Sequence, residues 1–261
     1  VLFSTDDLSA FRPFFPQGLG GVISAMGITF VAFEGYEIIV QSGEEVKNPG
    51  KTIPRAILLS IVIAVFLYIL VATVMLGAVT APDGQPVYRY LGQLKELGLM
   101  EAAGQFVPHG KIILLIAGLA STASALNATI YGSSRIAYAM GRDKDLPQVL
   151  GHIHKVRKTP HTAIAATGTL MAIMTLALPI EDIAASTNIM FLLVFIMVCA
   201  TVIRLRNHWP DHERPFKVPL SPLLPGAGII AGIVLSVWLL RVSLVAWLVA
   251  LVWMILGGVM Y

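Results

Sequence analysis

The sequence predicts an all-α integral membrane protein with seven transmembrane helices, on three observations. Hydrophobic residue types make up 56% of the 261 residues and charged types only 13%, against about 25% charged in an average soluble domain. Seven apolar stretches can be marked at 18–40, 56–79, 112–134, 162–180, 183–203, 223–240 and 242–261. Of all the Asp, Glu, Lys and Arg side chains only Glu34 and Glu37 fall inside them, and all six histidines fall outside. A hydrocarbon core roughly 30 Å thick takes about 20 apolar residues per helix, and unpaired backbone groups cannot be left in lipid. Each stretch therefore reads as a spanning helix, and residues 1–261 as one transmembrane domain.

The connecting segments set the orientation. Those on one face (1–17, 80–111, 181–182 and 241) carry 5 Lys and Arg, and those on the other (41–55, 135–161 and 204–222) carry 13. The richer face is cytoplasmic by the positive-inside rule. The amino end then starts outside and the carboxyl end finishes in the cytoplasm, with the plasma membrane as the expected location. This placement explains the net charge of +3 without a nucleic acid partner; the expected surroundings are membrane lipid. The lone cysteine, Cys199, lies within a span and excludes an intrachain disulfide. The chain begins at Val1, lacks the basic and small-residue features of a secretory signal, and reads as a fragment.

The first span, 18–40, holds Gly18, Gly20, Gly21 and Gly27 before Phe33-Glu34-Gly35-Tyr36-Glu37 near the bilayer midplane. A carboxylate facing lipid at that depth costs roughly 2.5–3.5 kcal/mol on insertion scales, so Glu34 and Glu37 must face protein or water. Gly35 between them weakens the helix by about 1 kcal/mol relative to Ala. These features suggest a helix broken at Phe33 to Gly35. The carboxyl end of the outer half, with the carbonyls of Thr29 to Phe33, then favours an ammonium group; the amino end of the inner half favours an anion or the Glu37 carboxylate itself. Paired helix ends at the midplane suit a zwitterion and are used by many secondary transporters. The alternative is a Gly-kinked structural helix whose carboxylates pair with neighbouring helices.

The second span is almost wholly apolar. In the 80–111 connection, Pro82-Asp83-Gly84 signals a turn, and Tyr90, Leu91, Leu94, Leu97 and Met100 recur at helical spacing. An amphipathic outer helix over about 88–104 is expected, either a solvated loop helix or a lid. The third span contains Ser121, Thr122 and Ser124, with Asn127 and Thr129 beyond. Hydroxyls in membrane helices bond their own backbone or a neighbour, or ligate a hard cation. Glu181-Asp182 and Arg241 each read as the whole connection of a tight hairpin. Pro210, Pro215, Pro219 and Pro222 make 204–222 an extended strap. His152 and His154 read as a surface pair rather than a metal site, and Trp238 and Tyr261 as interfacial anchors.

Phe33-Glu34-Gly35-Tyr36-Glu37, then Gly43-Glu44-Glu45-Val46-Lys47-Asn48-Pro49 and Ile53-Pro54-Arg55-Ala56-Ile57, resembles the sixth-helix and inner-loop signature of amino acid permeases of the amino acid–polyamine–organocation superfamily. Ala125 to Ala128, Tyr131, Ser134-Arg135 and Tyr138 to Asp143 are similar to the family's eighth helix. Leu146-Pro147, Thr159-Pro160 and Arg214-Pro215-Phe216-Lys217-Val218-Pro219 follow in the family's order. The resemblance implies helices six to twelve of a twelve-helix transporter with the inverted repeat of the sodium-coupled leucine transporter, partnered by missing N-terminal helices one to five. It implies an amino acid substrate bound at the backbone of Phe30, Val31 and Phe33, at Gly35, and at the side chains of Glu34 and Tyr36. It also implies coupling or gating roles for Glu37, Ser121, Thr122, Ser124 and Asn127, while Glu44 and Glu45 at the inner mouth read either as a solvated charged loop or as part of an inner gate. No cofactor and no metal are expected beyond a coupling ion, H+ or Na+.

An enzyme is disfavoured, because the spans contain neither Asp nor His for an aspartate pair, a Ser-His dyad or a metal site. A channel or a non-transporting scaffold subunit is the remaining alternative. Against a channel, spans 56–79 and 242–261 lack the polar stripes a continuous pore needs.

Overall fold

The computed structural model describes residues 11–41, 43 and 46–260. Its regular structure among the described residues is helical: α1 (Gly18–Thr29), α2 (Glu37–Gln41), α3 (Pro49–Ala78), α4 (Val87–Leu94), α5 (Gly98–Phe106), α6 (Gly110–Asp143), α7 (His161–Ala177), α8 (Ile180–His208), α9 (Leu223–Trp238) and α10 (Leu244–Met260). Five stretches are long and apolar enough to cross a membrane: 18–41, 49–78, 110–143, 180–208 and 223–241. The helices 161–177 and 244–259 are apolar but shorter. The chain is an integral membrane protein by these helices. Its contacts divide it into two units, residues 1–16 with 58–128 and residues 17–57 with 129–261.

In the first unit, apolar side chains such as Phe66, Ile69 and Ile116 stay exposed, as suits surfaces turned to lipid tails. The outer connection differs from a single helix over 88–104. The chain makes a tight turn at Lys95–Leu97, with Lys95 at φ +49, and restarts as α5. The apolar spacing is that of one helix, but the turn brings Gly98 close to the Leu91 carbonyl. Lys111 pairs with Glu101 at 2.6 Å. Gln105 holds Thr80 through both backbone groups, at 2.8 and 3.0 Å.

α6 exceeds the apolar stretch 112–134 because apolarity marks only the portion that lipid can cover. Its 34 residues extend about 51 Å, and its last turns carry Arg135 and Arg142. The helix ends where Asp145 and Leu146 donate to the Met140 carbonyl. There Gly141 and Gly151 bring two backbones together, and a Cβ on Gly141 would lie 2.6 Å from the Gly151 nitrogen.

In the second unit, α8 is the central element, with α9 and α10 packed on it. Ala185, Ile189 and Leu192 of α8 are buried with Leu239, Ala246 and Ala250. The connection read at Glu181-Asp182 is instead Leu178-Pro179. Both acids sit in the first turn of α8, where the helix dipole favours negative charge. Ser243 caps α10 by accepting the Ala246 N–H at 3.0 Å and donating to Asp182 at 2.7 Å. The proline-rich strap begins after His208, later than the 204–222 reading, because its prolines start at Pro210. Arg214 folds back to donate to the carbonyls of Leu205, Trp209, Pro210 and His212, satisfying groups that a helix end leaves open. Gly50 of α3 lies against Pro215, so the strap covers the start of that helix.

Candidate functional site: the interrupted first helix

α1 ends at Thr29 because the next residues tighten into a 3-10 turn, Phe30–Phe33. Glu34 N–H donates to the Val31 carbonyl at 3.1 Å, and Glu34 itself is extended at φ −74, ψ 157. Gly35 then adopts φ +111, a conformation L side chains rarely take, and α2 starts at Glu37. Extended backbone between two helical segments leaves carbonyls on one side and N–H groups on the other without intrahelical partners. The interruption thus falls where the glycine between two carboxylates indicated.

Its inner edge is held by Glu37. The carboxylate reaches back to accept the Gly35 N–H at 2.7 Å. A charged acceptor at the start of a helix is favoured by charge-assisted hydrogen bonding and by the dipole.

Its outer edge is held by a residue that the sequence reading did not select. Asn188 of α8 is fully buried, and its amide donates to the carbonyls of Gly27 and Ile28 at 3.0 and 3.2 Å. Seven residues further along α8, Phe195 reaches both sides of the break. Its ring lies edge-on to Phe30, with centroids 5.9 Å apart, and parallel to Tyr36 at 6.1 Å. Phe191 joins the cluster at 6.0 Å from Phe195. Positions seven apart lie on one helix face, so a single face of α8 braces the two half-helices. A buried amide in an otherwise apolar span is the signal that could have identified Asn188, since such groups mark interhelical bonds or function.

Of the selected site residues, Phe30, Phe33, Glu34, Gly35, Tyr36 and Glu37 are half-buried around the break, and Val31 is 38% exposed. The Glu34 Oε1 atom is buried without a hydrogen-bond partner among the described residues. Ser121, Thr122, Ser124 and Asn127 are exposed along α6 in the other unit. Thr122 bonds its own helix at Gly118 and Leu119. Glu44 and Glu45 lie outside the described residues.

One turn past Glu37, Val40 and Gln41 open onto a cavity of about 540 Å³ shared with Arg135, Tyr138, Arg142 and Lys158. The Gln41 side-chain amide oxygen packs over Gly132 of α6. Trp238, expected as an interfacial anchor, donates to the Ser24 hydroxyl at 2.8 Å and so ties α9 to α1; Tyr261 lies outside the described residues. His154 accepts the N–H groups of Val156 and Arg157, which makes it part of a loop turn.

Comparison with known proteins places this geometry in a family. The amino acid permease family model matches residues 2–259. A branched-chain amino acid permease of Bacillus subtilis is 33% identical over 251 residues, covering 96% of this chain and 52% of its own length. The methylthioribose transporter of the same organism is 30% identical over 253 residues, covering 95% and 52% respectively. A vacuolar cationic amino acid transporter of Arabidopsis thaliana is 28% identical over 220 residues, covering 84% and 33%. The chain spans about half the length of the first two relatives. It belongs to the amino acid permease family of the amino acid–polyamine–organocation superfamily.

Proposed function

We propose that this chain is the C-terminal half of a secondary transporter that moves amino acids across the plasma membrane by alternating access, with the substrate held at residues 30–37. In this reading all seven apolar helices span, in the inverted-repeat arrangement of the sodium-coupled leucine transporter. The carboxyl terminus is cytoplasmic, as the Lys and Arg asymmetry favours. H+ or Na+ drives transport without an organic cofactor. The interruption between α1 and α2, capped by Glu37 and braced by Asn188 and Phe195 of α8, carries the proposal. The carboxyl end of the outer half-helix, with its partial negative charge, favours an ammonium group there. Because Glu37 already takes the Gly35 N–H, the substrate carboxylate falls to the N-terminal helices of the whole protein. Ser121, Thr122, Ser124 and Asn127 are candidates for contact with the coupling ion, and Glu44 and Glu45 for an inner gate.

The test is uptake by the full-length protein in proteoliposomes, with the twenty amino acids as a panel and with or without imposed proton and sodium gradients. Saturable accumulation of one or more amino acids is expected. Absence of uptake and exchange for the whole panel would overturn the assignment.

A further inference from the structure

The two carboxylates at the break stand in opposite situations. Glu37 has a donor, the Gly35 N–H at 2.7 Å, and lies in the first turn of α2. Glu34, three residues earlier, has a buried oxygen that meets no donor among the described residues. A buried carboxylate oxygen that meets no donor is costly at membrane depth.

The elements packed around the break supply little to offset this. Residues 18–41 contain no Lys, Arg or His; nor do 183–203 of α8 or any of α9. The titratable groups there are Tyr36 and Glu37 on the same segment and Cys199 on α8. On α6, which meets α2 at Gly132, they are Tyr131 and Arg135. The Arg135 guanidinium lies 4.5 Å from the centre of the Tyr131 ring, and Arg135 lines the cavity beyond the far end of α2 with Gln41. Where two neighbouring acids stand in such different surroundings, they are suited to different roles.

We propose that Glu34 is the proton-coupling residue of this permease, a conclusion that rests on the break being the substrate site. A proton from the outer solution adds to the Glu34 carboxylate to give the neutral acid, whose O–H then supplies a donor at the break. After the site opens inward, substrate leaves and the proton passes to the inner solution. Glu37 keeps its bond to the Gly35 N–H and so caps the inner half-helix.

The experiment uses the full-length protein in proteoliposomes, with an amino acid identified by the panel. In wild type, an inward proton gradient should drive accumulation, and counterflow exchange should run without any gradient. Glu34→Gln should lose gradient-driven accumulation, and whatever counterflow it retains should not vary with pH. Glu34→Asp, which retains the acid but moves it, should shift the pH profile of accumulation. Proton-driven accumulation by Glu34→Gln at the wild-type level would overturn the proposal. So would an unchanged pH profile in Glu34→Asp, or a wild type that exchanges substrate but ignores the proton gradient. Absence of both exchange and uptake in wild type would instead refute the transport assignment itself.

Discussion

Asn188→Leu is expected to lower thermal stability and to abolish uptake in the full-length protein. The two side chains are similar in size, so the effect isolates the amide. In the structure that amide reaches across to the carbonyls of Gly27 and Ile28, one turn before the break. Losing a buried partner of this kind costs about 1–3 kcal/mol, and interhelical bonds in membranes fall toward the lower part of that range. The shift is roughly 2–4 °C per kcal/mol for 150–250 residues and smaller for a longer chain, so a lowered melting temperature should be measurable in detergent. The functional loss should exceed the stability loss, because α8 no longer fixes the outer edge of the break. A melting temperature and uptake equal to wild type would show that α8 does not brace this segment.

Gly35→Val should abolish substrate binding for a conformational reason. A Cβ at Gly35 would meet nothing within 4 Å, so crowding is not the cause. The obstacle is φ +111, a region where a β-branched residue is strained by about 1–3 kcal/mol. Relaxation to negative φ turns the Gly35 N–H away from the Glu37 carboxylate and removes the cap of α2. Gly118→Val supplies the contrast: its Cβ also enters open space, but no unusual φ is required, and uptake should persist. Equilibrium binding of the transported amino acid to both variants checks the difference. Wild-type affinity in Gly35→Val would place the binding site elsewhere.

The two predictions mark where the sequence was informative and where it was silent. Gly35 between Glu34 and Glu37 was legible because glycine and charge are both costly inside a lipid-spanning helix, and their coincidence points to a break. The long helices were legible for a related reason, since apolar length is a direct requirement of the bilayer. Helix ends were less so. The extension of α6 to Asp143 and the start of α8 before Glu181 depend on hydrogen bonding and capping, which hydropathy does not register. The apolar spacing of 88–104 carried no sign of the turn at Lys95. Asn188 and Phe195 act on residues about 160 positions earlier in the chain. No local pattern encodes such partners, although a buried amide in an apolar span signals that some partner is needed. Trp238 illustrates the same limit, because its place near a helix end suited an interfacial anchor, whereas its N–H is used by Ser24.

The central claim is that substrate occupies the gap between α1 and α2, and site-directed thiol labelling tests it most directly. Val31, 38% exposed at the outer edge of that gap, would be replaced by Cys in full-length protein carrying Cys199→Ala, with Leu58→Cys on the exposed face of α3 as the control. Saturating concentrations of the transported amino acid should slow maleimide labelling at position 31 and leave position 58 unchanged. Equal labelling rates at position 31 with and without substrate, in protein that still transports, would contradict the account.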